Sequence, residues 1–239
     1  LRYVSLRRLK PRSPTTHNSD RKPNTLKKKR IIAIDGTSAS GKSTTSRALA
    51  RRLNYVYVDT GAMYRTLAWY CVKSGIDVHD EKAVGNACRK WKTRLACLDN
   101  HVQLLVDGYF PEKEIRTEET SAAVPQVAAV PKVRDWMKKT QRECASFGNL
   151  VMEGRDIGSN VFPETDYKFY LDASLSIRSE RRAAEGVNEN LAARDQRDSQ
   201  RKAAPLMIPL GAIAIDNSDK TVDEVCDLIV AETERIDRD

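Results

Sequence analysis

Residues 31–46 read IIAIDGTSASGKSTTS, and the fold follows from how this stretch is read. A short apolar run at 31–34 passes into a Gly-rich turn that ends in Gly-Lys-Ser. Gly36-x4-Gly41-Lys42-Ser43 fits G-x-x-x-x-G-K-[ST], set after an expected strand and before an expected helix. Gly36 and Gly41 let the backbone bend, so that the N–H groups of Thr37, Ser38, Ala39 and Ser40 face phosphate oxygens. The helix that opens at Thr44 adds the positive end of its dipole. Lys42 is expected to reach the β- and γ-phosphates of a nucleoside triphosphate, and Ser43 to ligate Mg²⁺. The loop specifies a donor and is silent about the acceptor.

Working outward, apolar runs alternate with helical patterns, which implies an α/β core around a parallel sheet. Strands are expected at 31–34, 55–58, 150–152, 167–171 and 213–215, and helices at 44–53, 62–73 and 221–234. Between 79 and 147 the pattern changes. TRLACLDNHVQLLVDG (93–108) alternates as a hairpin turning at Asp99-Asn100, and 127–147 reads as one long helix. This segment is expected to be an inserted lobe, and the polar, Arg-rich 183–201 a second, short excursion. The core then comprises 30–78, 148–182 and 202–239.

The chain of 239 residues has a hydrophobic fraction of 40%, enough for a sizeable core. No window of 18 continuous apolar residues exists, so no transmembrane helix is expected. Five scattered cysteines without a C-x-x-C pair read as reduced thiols of a cytoplasmic protein, not as a metal or disulfide framework. The net charge of +8 invites a nucleic-acid reading, but its distribution opposes one. Residues 1–30 hold 11 Lys/Arg against Asp20, while the rest of the chain holds 30 basic and 32 acidic side chains. Basicity therefore belongs to the first 29 or 30 residues, which are expected to form a disordered extension. Any nucleic-acid binding through it would be non-specific.

Three further clusters point towards the loop. DTGAMYR (59–65) follows the second strand, with Thr60 in the turn and Arg65 one turn into a helix; a surface arginine is the plain alternative. MEGRDIG (152–158) places Arg155 and Asp156 at a strand's C-terminal end, where open α/β sheets bind ligands, although such a pair can be structural. RDQRDSQR (194–201) stacks Arg194, Arg197 and Arg201 along one helical face, with Asp195 and Asp198 between them; a salt-bridged surface helix is the alternative. Cations projecting from three places suit two anions brought together, and phosphoryl transfer depends mostly on positioning and cation placement.

IDGTSASGKST, VDTGAMYR, EIRTEE…QVAAVPKVR, MEGRDIGSNVFP, FYLDAS and RDQRDSQRKAAPL occur here in the order found in bacterial-type cytidylate kinases. The chain resembles that family over roughly residues 30–230. The resemblance implies a P-loop nucleoside monophosphate kinase fold, with the 79–147 insert binding the monophosphate and 183–201 forming a lid. The implied reaction is transfer of the γ-phosphate of ATP to CMP or dCMP, with Mg²⁺, in pyrimidine nucleotide metabolism. By position, Arg65 and Arg155 match residues that grip the acceptor phosphate. Arg134 and Asp156 match residues that read cytosine, with Arg201 joining from the lid. Arg194 and Asp198 match residues near the ribose and the transferring phosphate. Lys42, Arg155, Arg194 and Arg197 are the implied catalytic cations, and Thr60 belongs to the acceptor side. The chemistry agrees: the cytosine N4 amino group needs an acceptor such as Asp156, and its O2 and N3 need donors such as arginine. Glu153, beside the loop, could hold Mg²⁺ through water.

Three positions depart from the family pattern: Pro125 stands where a base-reading serine is usual, the lid is shorter than in bacterial enzymes, and Gly211 replaces an acidic residue. A monomer is expected. The alternatives are a different P-loop kinase, acting on UMP for instance, or a weakly catalytic P-loop protein with a nucleic-acid-binding tail.

Overall fold

The computed structural model describes residues 29–184, 186, 190–201 and 205–238. The expected extension over 1–29 therefore lies, apart from Lys29, outside the described residues, as do 185 and 187–189 of the expected lid.

Strand β1 (Ile31–Gly36) is buried at all six positions. Its alternate side chains serve opposite faces: Ile31 and Ala33 join one apolar layer, Ile32 and Ile34 the other. Burial on both faces explains why the strand reads as a continuous apolar run. Helix α1 (Lys42–Leu53) follows the loop, then β2 (Val56–Asp59) and α2 (Thr60–Lys73). Next come α3 (Glu81–Lys90), β3 (Thr93–Leu98), β4 (His101–Val106), α4 (Glu118–Ala129) and α5 (Pro131–Glu143). The remaining elements are β5 (Leu150–Gly154), β6 (Lys168–Asp172), α6 (Leu175–Ala184), α7 (Leu191–Ser199), β7 (Ile213–Asp216) and α8 (Val222–Ile236).

The seven strands form one sheet in the order β3-β4-β2-β5-β1-β6-β7. Every pairing is parallel except β3 with β4. One face is covered by α2 to α5, whose Leu67, Val84, Val127 and Met137 pack with Val58 and Met152. The other is covered by α1 and α8, whose Leu49, Val225 and Ile229 pack with Phe169 and Leu171. This is the expected α/β architecture of a mostly parallel sheet flanked by helices. Among the described residues no helix is long and apolar enough to cross a membrane.

Two expectations for 79–147 differ from what is found. The hairpin does turn at Asp99 and Asn100, both at positive φ as a tight two-residue turn requires. Its second strand, however, pairs with β2 (Tyr57 with His101, Val58 with Val102) and so extends the main sheet. The long helix expected over 127–147 is two helices. Val130 is extended (φ −70°, ψ 121°), as a residue before proline prefers, and Pro131 opens α5.

Register sets the site. Asp35 lies beside Gly154 and Asp59 beside Glu153, so the acidic ends of β1, β2 and β5 share one edge with the Gly-rich loop. That edge is the C-terminal one, where β1 and β2 leave in different directions around β5.

Candidate active site

The loop after β1 holds its shape through its own polar groups. Lys42 Nζ donates to the Thr37 carbonyl, Ser40 Oγ donates to the same carbonyl at 3.0 Å, and Thr37 Oγ1 donates to Asp172 at 2.7 Å. At Gly36 (φ +151°) a Cβ would come within 1.9 Å of the Leu171 carbonyl, so the close approach of β6 demands glycine. Gly41 (φ +87°) caps α1, where a Cβ would meet the Asn217 amide at 3.0 Å. That amide donates to the Ser40 carbonyl at 2.6 Å, while Arg181 donates to the Asn217 side chain at 3.1 Å and to its carbonyl at 3.0 Å.

Above this loop opens a cavity of about 660 Å³, bounded by α1, α2, α4 to α8 and the ends of β2 and β5. Among the described residues its wall carries eleven Lys/Arg side chains against four carboxylates, an excess that suits polyanionic ligands. Among the expected residues, Lys42, Ser43, Thr60, Arg65, Arg134, Arg155, Asp156, Arg194, Asp198 and Arg201 all line it, as do Ser38, Ala39, Ser40, Gly41 and Thr44. Gly36 and Thr37 stand behind the wall and support it through the bonds above and through the Gly36 carbonyl, which accepts from Arg155 at 2.7 Å. Arg197 is not brought in. It is exposed on α7 and donates to the Ala193 carbonyl at 3.3 Å, because the cavity face of that helix is the one that carries Arg194 and Asp198, and a residue adjacent to Asp198 is turned about 100° from it.

On the wall towards α5, Arg134 is 6% exposed and donates to Asp156 at 2.8 Å and to the Ala128 carbonyl at 3.3 Å. Its guanidinium lies 5.7 Å from the Tyr64 ring centre. The Arg134 Nε–H is buried without a partner among the described residues, a donor left for something else. Asp156 also accepts from Asn160 at 2.8 Å. Nearer α2, Arg65 donates to Ser121 Oγ at 2.7 Å and to the Ile115 carbonyl at 3.3 Å. Burial and the neighbouring Arg194 push its pKa below the ordinary arginine value. Val124 and Ala128 represent α4 on the wall, while the hydroxyl on that helix that meets a site arginine is Ser121, one turn before Pro125.

Arg155 joins α7 to the core. Its Nε lies 3.2 Å from Asp198, which is 4% exposed and is also paired with Arg201. Burial is the main cause that lowers Arg155 to about 10, with Arg194 adding to the effect and Asp198 opposing it. Lys42 and Glu153 are shifted towards each other. Burial and Arg155 lower the lysine, and burial and Asp59 raise the carboxylate.

Glu153 accepts from Ser43 Oγ at 2.9 Å and from Tyr57 Oη, while its carbonyl takes the Thr60 hydroxyl at 2.7 Å. A hydroxyl and a carboxylate beside a phosphate loop form a hard-oxygen donor set of the kind Mg²⁺ accepts while keeping several waters. The raised carboxylate is a second sign of fit, since a cation alongside would offset both its burial and the neighbouring Asp59.

Sequence reasoning missed several residues. Asp35 is fully buried and accepts the backbone N–H groups of Ile157 and Gly158, both at 2.7 Å, so it sets the turn that carries Asp156. Its only signal was an acid inside an otherwise apolar strand. Asp59 caps α2 by accepting from Ala62 N at 2.8 Å. Arg178, Arg181 and Asn217 also surround the loop, with no motif to mark them.

The family model described as cytidylate kinase matches residues 32–235. A cytidylate kinase from Anoxybacillus flavithermus is 41% identical over 216 residues, covering 86% of this chain and 96% of that relative. One from Clostridioides difficile is 40% identical over 212 residues, covering 84% and 96%. Among solved structures, a gluconokinase from Sinorhizobium meliloti 1021 aligns over 87% of this chain and 93% of that one, at 15% identity and a TM-score of 0.46.

Proposed function

From the premise that this chain belongs to the cytidylate kinase family, we propose that it transfers the γ-phosphoryl group of ATP to CMP or dCMP. The observation that carries the proposal is one cavity that joins a phosphate loop to a buried Arg134–Asp156 pair whose Arg134 Nε–H has no partner among the described residues. Asp156 accepts from the exocyclic amino group of cytosine, and Arg134 donates to the ring's acceptors, with Arg201 closing from the lid. UMP would present a carbonyl to Asp156 in place of an amino group.

Arg65, Arg155 and Thr60 hold the acceptor phosphate, while Arg194 and Asp198 lie over the ribose and the transferring group. The loop N–H groups and Lys42 hold the donor's phosphates. An oxygen of the acceptor phosphate attacks the γ-phosphorus, the bond to the β–γ bridging oxygen breaks, and ADP leaves. The acceptor is already an anionic nucleophile, so the arginines act by positioning it and by offsetting the charge on the equatorial oxygens. Ser43, with Glu153 behind it, would hold Mg²⁺, which when bound offsets phosphate charge. The acceptor lobe is built from α3 to α5 and the lid from α6 and α7. The hairpin β3–β4 belongs to the core sheet.

The test is ADP release with CMP, dCMP, UMP and AMP in turn, for the natural chain and for Asp156→Asn. CMP and dCMP are expected to lead. In the variant their kcat/KM falls by about 10- to 150-fold, the value of one charge-assisted hydrogen bond, with KM for ATP little changed. UMP or AMP matching CMP in the natural chain would sink the assignment.

A further inference from the structure

One carboxylate at the site has no part in the roles above. Asp195 lies on α7, and its Oδ1 accepts the backbone N–H of Ser38, in the phosphate loop, at 3.2 Å. Its Oδ2 is paired with Arg178 Nη1. Arg178 is itself 8% exposed, with Nε donating to the Ala173 carbonyl at 3.0 Å and Nη1 to the Ser38 carbonyl at 3.3 Å. Both peptide groups of Ser38 are therefore held, the N–H by the lid helix and the carbonyl by the arginine that anchors it. Three residues on, Asp198 reaches Arg155 on the acceptor side. Carboxylates at i and i+3 share a helix face, so α7 lies across the junction between the donor loop and the acceptor arginines.

We infer that Asp195 is the latch of the lid, a positioning residue that docks α7 on the phosphate loop through Ser38 and Arg178 and thereby orders the loop's rim. A bare carboxylate at an anion-binding loop would repel the donor. Paired with Arg178 it is neutralised, so it can stay in place at Ser38 while the other loop N–H groups take the phosphates. A short lid has little apolar surface with which to dock, and described α7 has only Leu191 and Asp198 buried. Polar attachment through Asp195 and Asp198 then takes over that role. When the latch is set, the site closes against water and the γ-phosphoryl group is committed to the acceptor.

The inference rests on the phosphoryl-transfer reading, and the test keeps the two apart. Amide hydrogen exchange over 37–41 is measured in the nucleotide-free protein, natural, Asp195→Ala and Asp195→Asn. ADP release is then measured with and without CMP. The latch predicts exchange over 37–41 faster by about tenfold or more in Asp195→Ala, an increase beyond that in the rest of the chain and over and above the fall in melting temperature that the unpaired Arg178 brings. It also predicts a ratio of ATP hydrolysis to transfer raised about tenfold, a change that a merely structural residue would not produce. Asp195→Asn retains an acceptor for Ser38 N–H but not the charge for Arg178, and falls between. Unchanged exchange, an unchanged ratio, or tighter ATP binding in Asp195→Ala would each overturn the latch. The exchange result stands whether or not CMP proves to be the acceptor.

Discussion

Asp35 and Asp156 face each other across the turn after β5, and burial gives the two carboxylates different work. Asp156 meets a buried cation, Arg134, at 2.8 Å, so its charge is matched and available for recognition. Among the described residues Asp35 accepts from the N–H groups of Ile157 and Gly158 alone, and burial raises its carboxyl to about 6, with nearby Asp156 adding to the rise and Lys42 opposing it. The native state therefore binds a proton that the unfolded chain releases near its ordinary value of about 3.9. Between about pH 4 and 6 the folded protein holds more protons than the unfolded one, so this group's contribution to stability falls as pH rises, by at most about 1.4 kcal/mol per unit. Asp35→Asn removes the titration and sets an amide N–H₂ against a backbone donor. Urea unfolding of both proteins from pH 4.5 to 7.5 is expected to show the variant less stable throughout, with the gap narrowing up to about pH 6 and constant above it. Parallel curves over the whole range would reject this account. Arg134 and Asp156 were legible in the sequence because they stand in quoted motifs. Asp35 was not, because a lone acid at a strand end does not say which N–H groups it will meet.

At the scale of elements, β1 decides the architecture. It is central, parallel to both neighbours, and at Gly36 it passes so close to β6 that no side chain fits. Gly36→Ala must move the Leu171 carbonyl or break the pairing, and is expected to cost more than about 4 kcal/mol, a fall in melting temperature of about 10 °C or more. Gly211 also has positive φ (+77°) but open space around it, so Gly211→Ala carries only the backbone strain, about 1–2 kcal/mol. Thermal melting of the two variants side by side separates the steric cause from the conformational one; equal shifts would show that the β6 contact is unimportant. The strand and the helix after the loop were legible because apolar run, glycine spacing and helix start agree at one place. The place of the hairpin was not. Alternation reports which side of a strand is buried but not which strand it pairs with, and the pairing of Tyr57 with His101 depends on tertiary contact. The break between α4 and α5 had its signal in Pro131, outweighed by the helical pattern on either side.

For the whole molecule, charge is arranged more unevenly than the total of +8 suggests. Residues 29–239 carry equal numbers of basic and acidic side chains, yet among the described residues the cavity wall holds eleven cations against four anions. The remaining surface of that part of the chain is accordingly acidic, and the field gathers anions towards the cavity while discouraging binding of a nucleic acid elsewhere. The excess positive charge lies in residues 1–28, with nine Lys/Arg against Asp20. The boundary is sharp in the contacts. Lys29 Nζ donates to the Ala145 carbonyl at 2.6 Å, Arg30 N donates to Asn149 at 3.0 Å, and the Arg30 carbonyl accepts from Leu150 N at 2.8 Å, where β1 and β5 begin to pair. Arg30 also pairs with Asp237, just past α8, at 2.7 Å. Removing residues 1–28 leaves all of these intact, so ATP–CMP turnover and melting temperature are expected to be unchanged, while salt-sensitive retention on immobilised DNA is lost. Removing residues 1–30 takes away the ladder bond and the ion pair together. At about 0.5–1.5 kcal/mol for the hydrogen bond and up to about 1 kcal/mol for the half-exposed pair, that chain should melt several degrees lower. A loss of turnover already at residue 28 would mean that the basic segment takes part in the reaction, and DNA retention surviving its removal would place a nucleic-acid surface on the folded core.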